Sequence, residues 1–199
     1  GAIRESQHVF IKEGLFYQAM RNKNIAILET GFGTGLNAWL TLNEAKNRDL
    51  QIYYETLEAY PISLETASTL NYQRLLSTKD NDIVSPDDFL ELHRCNWEER
   101  VKINDHFEIR KRKEKFEEAS LEAAFDLIYF DAFAPRTQPH LWEEPFLSRM
   151  YKSLKPEGVL VTYCAKGSFK RALKSLGFAV ESPPGPPGKR EMTRALKSV

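Results

Sequence analysis

Five short runs rich in β-branched and aromatic residues recur along this chain, and helix-like segments separate them. This alternation is typical of βαβ units, in which parallel strands form one sheet and helices cover its faces. The predicted strands are IAILE (25–29), QIYYETLE (51–58), FEIRK (107–111), FDLIYFD (125–131) and GVLVTYCA (158–165). The chain is therefore predicted to adopt an α/β fold with a mostly parallel sheet.

Two segments between these runs carry apolar residues at the 3.6-residue helical period, GLNAWLTLNEAK (35–46) and GSFKRALKSLGF (167–178). Both are predicted to be helices that pack on the sheet, the second ending at Gly177. Residues 71–105 are polar and too long for a simple crossover, so we interpret them as a helical insertion. With 199 residues and 42% hydrophobic composition, the chain is predicted to be one domain, 1–199.

Several classes of protein are disfavoured by composition. No stretch of eighteen apolar residues occurs, and the first ten residues are too polar for a signal peptide, so a soluble, cytoplasmic protein is expected. The absence of an initiator Met suggests that the sequence begins inside a longer product. Cys95 and Cys164 lie far apart without a CxxC motif, which favours reduced structural thiols and predicts no metal site.

The net charge of zero conceals an asymmetry. Residues 146–199 contain eleven Lys and Arg against three Glu, which gives this quarter +8 and leaves −8 for the preceding residues. A positive surface of this kind can contact a phosphate backbone. A solvated helix face beside a basic tail explains the same pattern, and charge alone does not decide between the two.

The stretch ETGFGTGLN (29–37) follows the first predicted strand and contains Gly31, Gly33 and Gly35. Glycines before a helix N-terminus let a nucleotide-like ligand approach the backbone closely. The spacing is E-x-G-x-G-x-G, with Leu36 where the dinucleotide-binding pattern G-x-G-x-x-G has its third glycine. The G-K-[ST] of a phosphate-binding P-loop is missing. A nicotinamide-dependent oxidoreductase is therefore the least favoured reading.

A second acid, Glu58, ends the next predicted strand, twenty-seven residues after Gly31. Such a carboxylate can accept both ribose hydroxyls, and Glu29 can meet an ammonium group directly or through water. An acid, a G-x-G-x-G loop and a second acid at the next strand end resemble the arrangement of class I S-adenosylmethionine (SAM) methyltransferases.

Asp131 ends the fourth predicted strand, where ligands of open α/β sheets bind. Pro135 and Pro139 keep the following loop out of helix and place Phe133 and Trp142 near the same crevice. Asp131 is thus a candidate catalytic residue. A carboxylate that caps the loop is the alternative explanation.

Four stretches together resemble the methyltransferase family of the tRNA wobble-uridine pathway, which occurs as half of bifunctional MnmC proteins and as MnmD-type proteins. They are ETGFGTGLN, DLIYFDAFAPRTQPHLW (126–142), LKPEGVLVTYCAKGSFKRALKSLGF (154–178) and PPGPPGKREM (183–192). The resemblance covers most of residues 1–70 and 106–195. It implies a class I SAM methyltransferase fold, a doubly wound, Rossmann-like sheet whose last strand, here REMTRALK, is antiparallel.

The implied activity is methyl transfer from SAM to the amine of 5-aminomethyl-(2-thio)uridine at the tRNA wobble position. Asp131 would orient the amine and favour loss of its proton. The implied cofactor-binding residues are Glu29, Thr30, Gly31, Phe32, Gly33, Gly35, Asn37, Glu58 and Asp131. The implied contacts to the anticodon stem-loop are Phe133, Trp142, Lys166, Lys189 and Arg190, the aromatic residues by stacking and the cations on phosphates.

Three points stay open at this stage. Relatives carry an Asp for the adenine amino group where this chain has Lys115, between Glu114 and Glu117. No FAD-binding fingerprint is found, so an oxidative step of the pathway would need a separate oxidoreductase. A methyltransferase for a small molecule or protein would keep Glu29, Glu58 and the glycines without needing the basic C-terminal quarter. A noncatalytic SAM-binding module that scaffolds an RNA-modifying complex would bind the cofactor without turnover.

Overall fold

Eight strands form one sheet in the part of the chain that the structure, a computed structural model, describes: residues 1–72, 86–132 and 137–198. The strands are β1 (Asn24–Thr30), β2 (Gln51–Leu57), β3 (Arg100–Asn104), β4 (Phe107–Arg112), β5 (Phe125–Tyr129), β6 (Leu154–Thr162), β7 (Phe178–Glu181) and β8 (Thr193–Lys197). Their order is β3-β4-β2-β1-β5-β6-β8-β7. The five central pairing strands β4, β2, β1, β5 and β6 are parallel, and β8 is antiparallel to β6 and β7. The predicted mostly parallel sheet with an antiparallel last strand is confirmed.

Helices lie between the strands. Residues 2–19 form the N-terminal helix, in three consecutive parts: α1 (Ala2–Ser6), a π-helical stretch (Gln7–Phe16) and α2 (Tyr17–Ala19). The others are α3 (Leu36–Arg48), α4 (Leu64–Ser68), α5 (Pro86–Arg94), a 3-10 turn (Pro139–Trp142), α6 (Glu144–Ser153) and α7 (Gly167–Ser175). The two helices predicted from periodicity, α3 and α7, are confirmed. None of the described helices has the length and apolar character needed to cross a membrane.

The two faces of the sheet bury separate apolar clusters because alternate residues of a strand point to opposite sides. Ile27 of β1 and Tyr129 of β5 pack on one face with the N-terminal helix, α3 and α5. Leu28 and Ile128 pack on the other face with α6 and α7. Burial on both faces explains why β1, β5 and the second half of β6 contain continuous apolar runs. In β4, by contrast, buried and half-buried residues alternate.

Two strands, β3 and β7, were not predicted from the sequence. β3 lies within the segment 71–105 and pairs antiparallel with β4, and its RVKIN sequence is polar and partly exposed. β7 has only four residues at the opposite edge. Edge strands are half-solvated and lack the apolar run that marks a central strand, so the sequence carried little signal for them. The helical part of the segment is α5, and residues 73–85 lie outside the described ranges. Cys95 and Cys164 are both free and buried.

Candidate functional site

A cavity of about 480 Å³ opens at the carboxyl ends of the central strands. Its walls include residues 31–34 and 36–37 after β1, 58–60 after β2, 115–117 after β4 and 131–132 after β5, and the N-terminal helix adds a further wall. Side chains that follow parallel strands converge at one edge of the sheet, so these distant segments meet. The volume is in the range of small-molecule sites, about 300 to 1,000 Å³.

All three glycines of the loop between β1 and α3 have positive φ angles, 99° at Gly31, 51° at Gly33 and 73° at Gly35. Residues with a Cβ atom rarely adopt this conformation. A Cβ atom added at Gly33 would meet no atom within 4 Å, whereas one at Gly35 would lie 2.9 Å from Nε2 of His93. Gly33 thus leaves backbone open to the cavity, and Gly35 lets the loop pack against α5.

Two backbone amides hold the carboxylate of Glu58 at the rim of the cavity. The N–H of Gly33 donates to Oε2 at 3.0 Å, and the N–H of Tyr60 donates to Oε1 at 2.8 Å. Since a carboxylate offers about four acceptor positions, each oxygen keeps capacity for another donor. Glu58 is therefore an oriented acceptor that suits a pair of neighbouring hydroxyl groups.

The side chain of Asn37 connects two acids, Glu29 on β1 and Asp131 just after the neighbouring strand β5. Its Nδ2 donates to Oε1 of Glu29 at 3.0 Å and to Oδ2 of Asp131 at 2.9 Å. The hydroxyl of Thr56 donates to Oε2 of Glu29 at 3.0 Å. Glu29 is only 1% exposed and lies behind Asn37, whereas Asn37 and Asp131 line the cavity. The amide of Asn37 therefore fixes the Asp131 carboxylate in the cavity wall.

Burial raises the pKa values of both acids. The pKa of Glu29 rises to about 8, first because of burial and then because of the Asp131 charge, against the hydrogen bonds from Asn37 and Thr56. The pKa of Asp131 rises to about 6, mainly because of burial, and the hydrogen bond from Asn37 opposes the rise. Near neutral pH, Glu29 is mostly protonated and Asp131 mostly ionised. Asp131 is thus available as a proton acceptor beside the cavity.

Residues 87–198 match a protein family described as S-adenosyl-L-methionine-dependent methyltransferase, and the match covers more than half of the chain. The chain belongs to this methyltransferase family. Its fold agrees, because the order of strands and the antiparallel last strand are those expected of a class I SAM methyltransferase.

Individual relatives are also similar. Two of these relatives are bifunctional MnmC proteins for tRNA 5-methylaminomethyl-2-thiouridine biosynthesis. The protein from Marinomonas sp. is 28% identical to this chain and the protein from Leptospira interrogans is 29% identical, each over 96% of this chain. The methyltransferase spans only 29% and 30% of the length of these two proteins. The crystal structure of MnmC2 from Aquifex aeolicus superposes with a TM-score of 0.72 at 26% identity, covering 98% of this chain and 61% of that one.

A more distant structure shares the fold alone. The 1,6-didemethyltoxoflavin-N1-methyltransferase of Burkholderia thailandensis, solved with S-adenosylhomocysteine, superposes with a TM-score of 0.56 at 12% identity. The superposition covers 100% of this chain and 79% of the Burkholderia chain. The architecture of the methyltransferase therefore recurs in an enzyme with little sequence in common.

SAM is the cofactor of this methyltransferase, and the cavity fits it. Gly33 leaves backbone open to the ligand, and Glu58 is an oriented acceptor that suits ribose hydroxyls. The Oδ1 atom of Asn37 is buried and has no hydrogen-bond partner among the described residues. An acceptor in that state has capacity for a donor such as the ammonium group of the cofactor. Phe116 adds an apolar surface to the wall near Gly31, which suits an adenine ring.

The remaining predicted cofactor residues take different places in the methyltransferase. Phe32 lines the cavity, and its ring also packs edge-on against His93 and Trp97 with centroids 5.1 and 6.2 Å apart. Thr30 is buried, and its hydroxyl donates to the carbonyl of Tyr129 at 3.5 Å. Glu29 and Thr30 are thus behind the cavity wall, whereas Gly31, Gly33, Phe32, Asn37, Glu58 and Asp131 form the wall itself. Gly35 is not part of the wall and packs against His93.

The predicted substrate residues are dispersed around the site. Trp142 is 7% exposed and packs edge-on against the rings of Phe130 and Phe169, with centroids 4.8 and 5.1 Å apart. Lys166 is exposed and immediately precedes α7. Lys189 and Arg190 are exposed in the loop before β8. Phe133 lies outside the described residues.

Sequence reasoning missed several residues of the wall. Glu5 comes from the N-terminal helix, Tyr60 follows Glu58 at the rim, and Phe116 and Glu117 follow β4. Lys115, whose role the sequence left open, also lines the cavity. For Tyr60, the only signal in the sequence was its position two residues after Glu58. Glu5 and Phe116 have no motif, because only the packing of helix and loop brings them to the site.

The buried acid behind the wall predicts a pH-dependent stability. Because Glu29 has a pKa of about 8 in the folded protein against 4.5 for an unperturbed glutamate, the folded state binds more protons between these values. The free energy of unfolding therefore falls as pH rises through this window, by a few kcal/mol in order of magnitude. Glu29→Gln has no charge to bury and escapes this loss.

The variant should therefore gain stability relative to the wild type as the pH rises. We expect the difference in melting temperature, Glu29→Gln minus wild type, to be larger at pH 9 than at pH 5 by roughly 5 to 10 °C. Thermal unfolding followed by circular dichroism at both pH values measures the difference. Glu44→Gln, which alters a glutamate on the surface of α3, is the matched control and should show no such trend. Parallel curves for Glu29→Gln and the wild type would contradict a buried acid of raised pKa.

Proposed function

We propose that this methyltransferase converts 5-aminomethyl-(2-thio)uridine at the wobble position of tRNA to the 5-methylaminomethyl form. The observation that carries the proposal is the position of Asp131, whose pKa burial raises to about 6, in the same cavity as the glycine loop and Glu58. The names of its relatives, which refer to tRNA 5-methylaminomethyl-2-thiouridine biosynthesis, support the choice of substrate.

Asp131 acts on the proton of the substrate amine. A primary ammonium group has no lone pair, so it must lose a proton before nitrogen can form a bond to carbon. The carboxylate of Asp131, held by the amide of Asn37 at 2.9 Å, can accept that proton and orient the neutral amine. SAM supplies the methyl group when bound. A fixed carboxylate and a fixed cofactor pocket together restrict the amine to a reactive position.

The basic C-terminal quarter provides candidates for contacts with the RNA backbone. Lys166 and Arg171 are exposed at the start of α7, and Arg190 is exposed in the loop before β8. Lys170 belongs less to this set, because its ammonium group already contacts Glu191 at 2.9 Å and Ser182 at 2.7 Å. We expect the first three residues to contact phosphates and to make binding sensitive to salt.

Nucleoside analysis tests the proposal directly. The protein is incubated with SAM labelled in the methyl group and with tRNA whose wobble uridine still carries the unmethylated aminomethyl group. This tRNA is isolated from cells that do not carry out the final methylation. We expect label in 5-methylaminomethyl-(2-thio)uridine at the wobble position. The same tRNA isolated from cells that complete the modification is the control and should take up no label. Label in protein or small molecules, but never in the wobble uridine, would refute the assignment.

A further inference from the structure

Glu5 is an acid in the cavity wall that no motif marks. It belongs to α1 of the N-terminal helix and lines the same cavity as Asp131, which follows β5. Its side chain is 37% exposed, so it remains accessible from the cavity. Glu5 and Asp131 therefore present two carboxyl groups to one space from opposite parts of the chain.

A cation from the chain itself already pairs with Glu5. Nζ of Lys189 lies 2.9 Å from Oε1 of Glu5 and 4.4 Å from the centroid of the Tyr163 ring. The hydroxyl of Tyr163 in turn donates to the carbonyl oxygen of Ala132 at 2.9 Å, next to Asp131. A carboxylate on one side and an aromatic face on the other form a favourable environment for a primary ammonium group.

The ammonium group of Lys189 is chemically equivalent to a protonated aminomethyl group, since both are primary alkylammonium ions. Its contact with Glu5 is also replaceable. Both side chains are more than one third exposed, 37% for Glu5 and 39% for Lys189, and ion pairs of this kind contribute little to stability. The loop that carries Lys189 includes Gly188 with a φ of 92°, and no Cβ contact would restrict that glycine.

We propose that Glu5 is a specificity-determining residue whose carboxylate binds the protonated amine of the substrate, and that Lys189 holds this position until the substrate displaces it. The inference rests on the proposed function. Glu5 receives the amine as a cation, and Asp131 then accepts one of its protons, so that the neutral nitrogen faces the cofactor. Lys189, once released, is free to contact a phosphate of the same RNA.

Binding to two matched RNAs isolates the charge of the amine. Anticodon stem-loops with 5-aminomethyluridine or the neutral 5-hydroxymethyluridine at the wobble position are titrated into the protein in the presence of S-adenosylhomocysteine. The ratio of the two dissociation constants is the amine selectivity. We expect a selectivity of roughly tenfold or more for the wild type, as for one charge-assisted hydrogen bond, and below about twofold for Glu5→Gln.

Two further variants separate amine binding from a purely structural ion pair. Glu13→Gln is the matched control, because Glu13 lies on the same helix but does not line the cavity. Its carboxylate pairs with the guanidinium group of Arg194 at a distance of 3.0 Å. It should retain the selectivity of the wild type. Lys189→Met should bind both RNAs more weakly and keep or increase the selectivity, because it removes a phosphate contact and a competing cation together.

Three outcomes would overturn the inference. They are an amine selectivity near one in the wild type, an unchanged selectivity in Glu5→Gln, and an equal loss of selectivity in Glu5→Gln and Lys189→Met. The last would mean that Glu5 acts only by holding Lys189. Methyl transfer to the wobble uridine is measured separately. If the wild type methylates the tRNA without amine selectivity, the role of Glu5 fails and the proposed function stands. If it never labels that uridine, the proposed function itself fails.

Discussion

Replacing Asp131 with Ala is expected to lower kcat by about 10³-fold, which corresponds to roughly 4 kcal/mol of lost transition-state stabilisation. The variant loses both the proton acceptor and the group that orients the substrate amine. The dissociation constant for SAM should change by less than about threefold, within the effect of one weak contact. Single-turnover methylation of tRNA and calorimetric titration of SAM measure the two quantities.

The pH dependence adds a second readout for the same residue. With a pKa of about 6, Asp131 gains its charge as pH rises through that value, so kcat/KM should increase across this range in the wild type. Asp131→Asn should abolish that limb of the profile. Asp126→Asn is the matched control, because Asp126 lies on β5 far from the cavity wall and pairs with Lys155 at 2.9 Å. A strong loss of SAM affinity in Asp131→Ala would assign this carboxylate to the cofactor instead.

Glu58→Gln is expected to weaken SAM binding by about 30- to 100-fold, the size of a lost charge-assisted hydrogen bond of roughly 2 to 3 kcal/mol. Both oxygens of Glu58 accept from backbone N–H groups, so an amide nitrogen placed at either position would face a donor. The substitution therefore disturbs the glycine loop as well as the ribose acceptor. Calorimetric titration with S-adenosylhomocysteine measures the effect.

The same variant should retain kcat within about threefold at saturating SAM, because Glu58 is not expected to touch the reacting atoms. Glu65→Gln, which alters an exposed glutamate at the start of α4, is the matched control. An unchanged dissociation constant in Glu58→Gln would contradict its assignment as the ribose acceptor. A loss of kcat without a loss of affinity would place Glu58 near the methyl group instead.

Much of the fold could be predicted because local sequence carries strong signals in its interior. The strand that includes Ile27 and Leu28 is buried on both faces, so it appears as an apolar run. The helix that begins at Leu36 shows a clear period and follows a glycine. β3 and β7 were missed because edge strands have exposed polar residues and no such run.

The candidate site was predictable where a motif is short and continuous. Gly31, Gly33 and Gly35 do have the backbone angles that only glycine adopts readily, and Glu58 does lie at the cavity rim. The position of Glu29 was not predictable, since its distance from the cavity depends on the Asn37 side chain packed in front of it. The pKa values of Glu29 and Asp131 likewise follow from burial, which is a property of the packed chain.

The sequence by itself determined the mostly parallel sheet, the glycine loop with its acid at the next strand end, and the family resemblance. These features depend on residues that are neighbours along the chain, where periodicity and spacing are visible. Only the tertiary structure decided that Asn37 joins Glu29 to Asp131 and that Glu5 meets Lys189 beside Tyr163. Such contacts join residues separated by as many as 184 positions, and the packing of helices on the sheet alone brings them within hydrogen-bond distance.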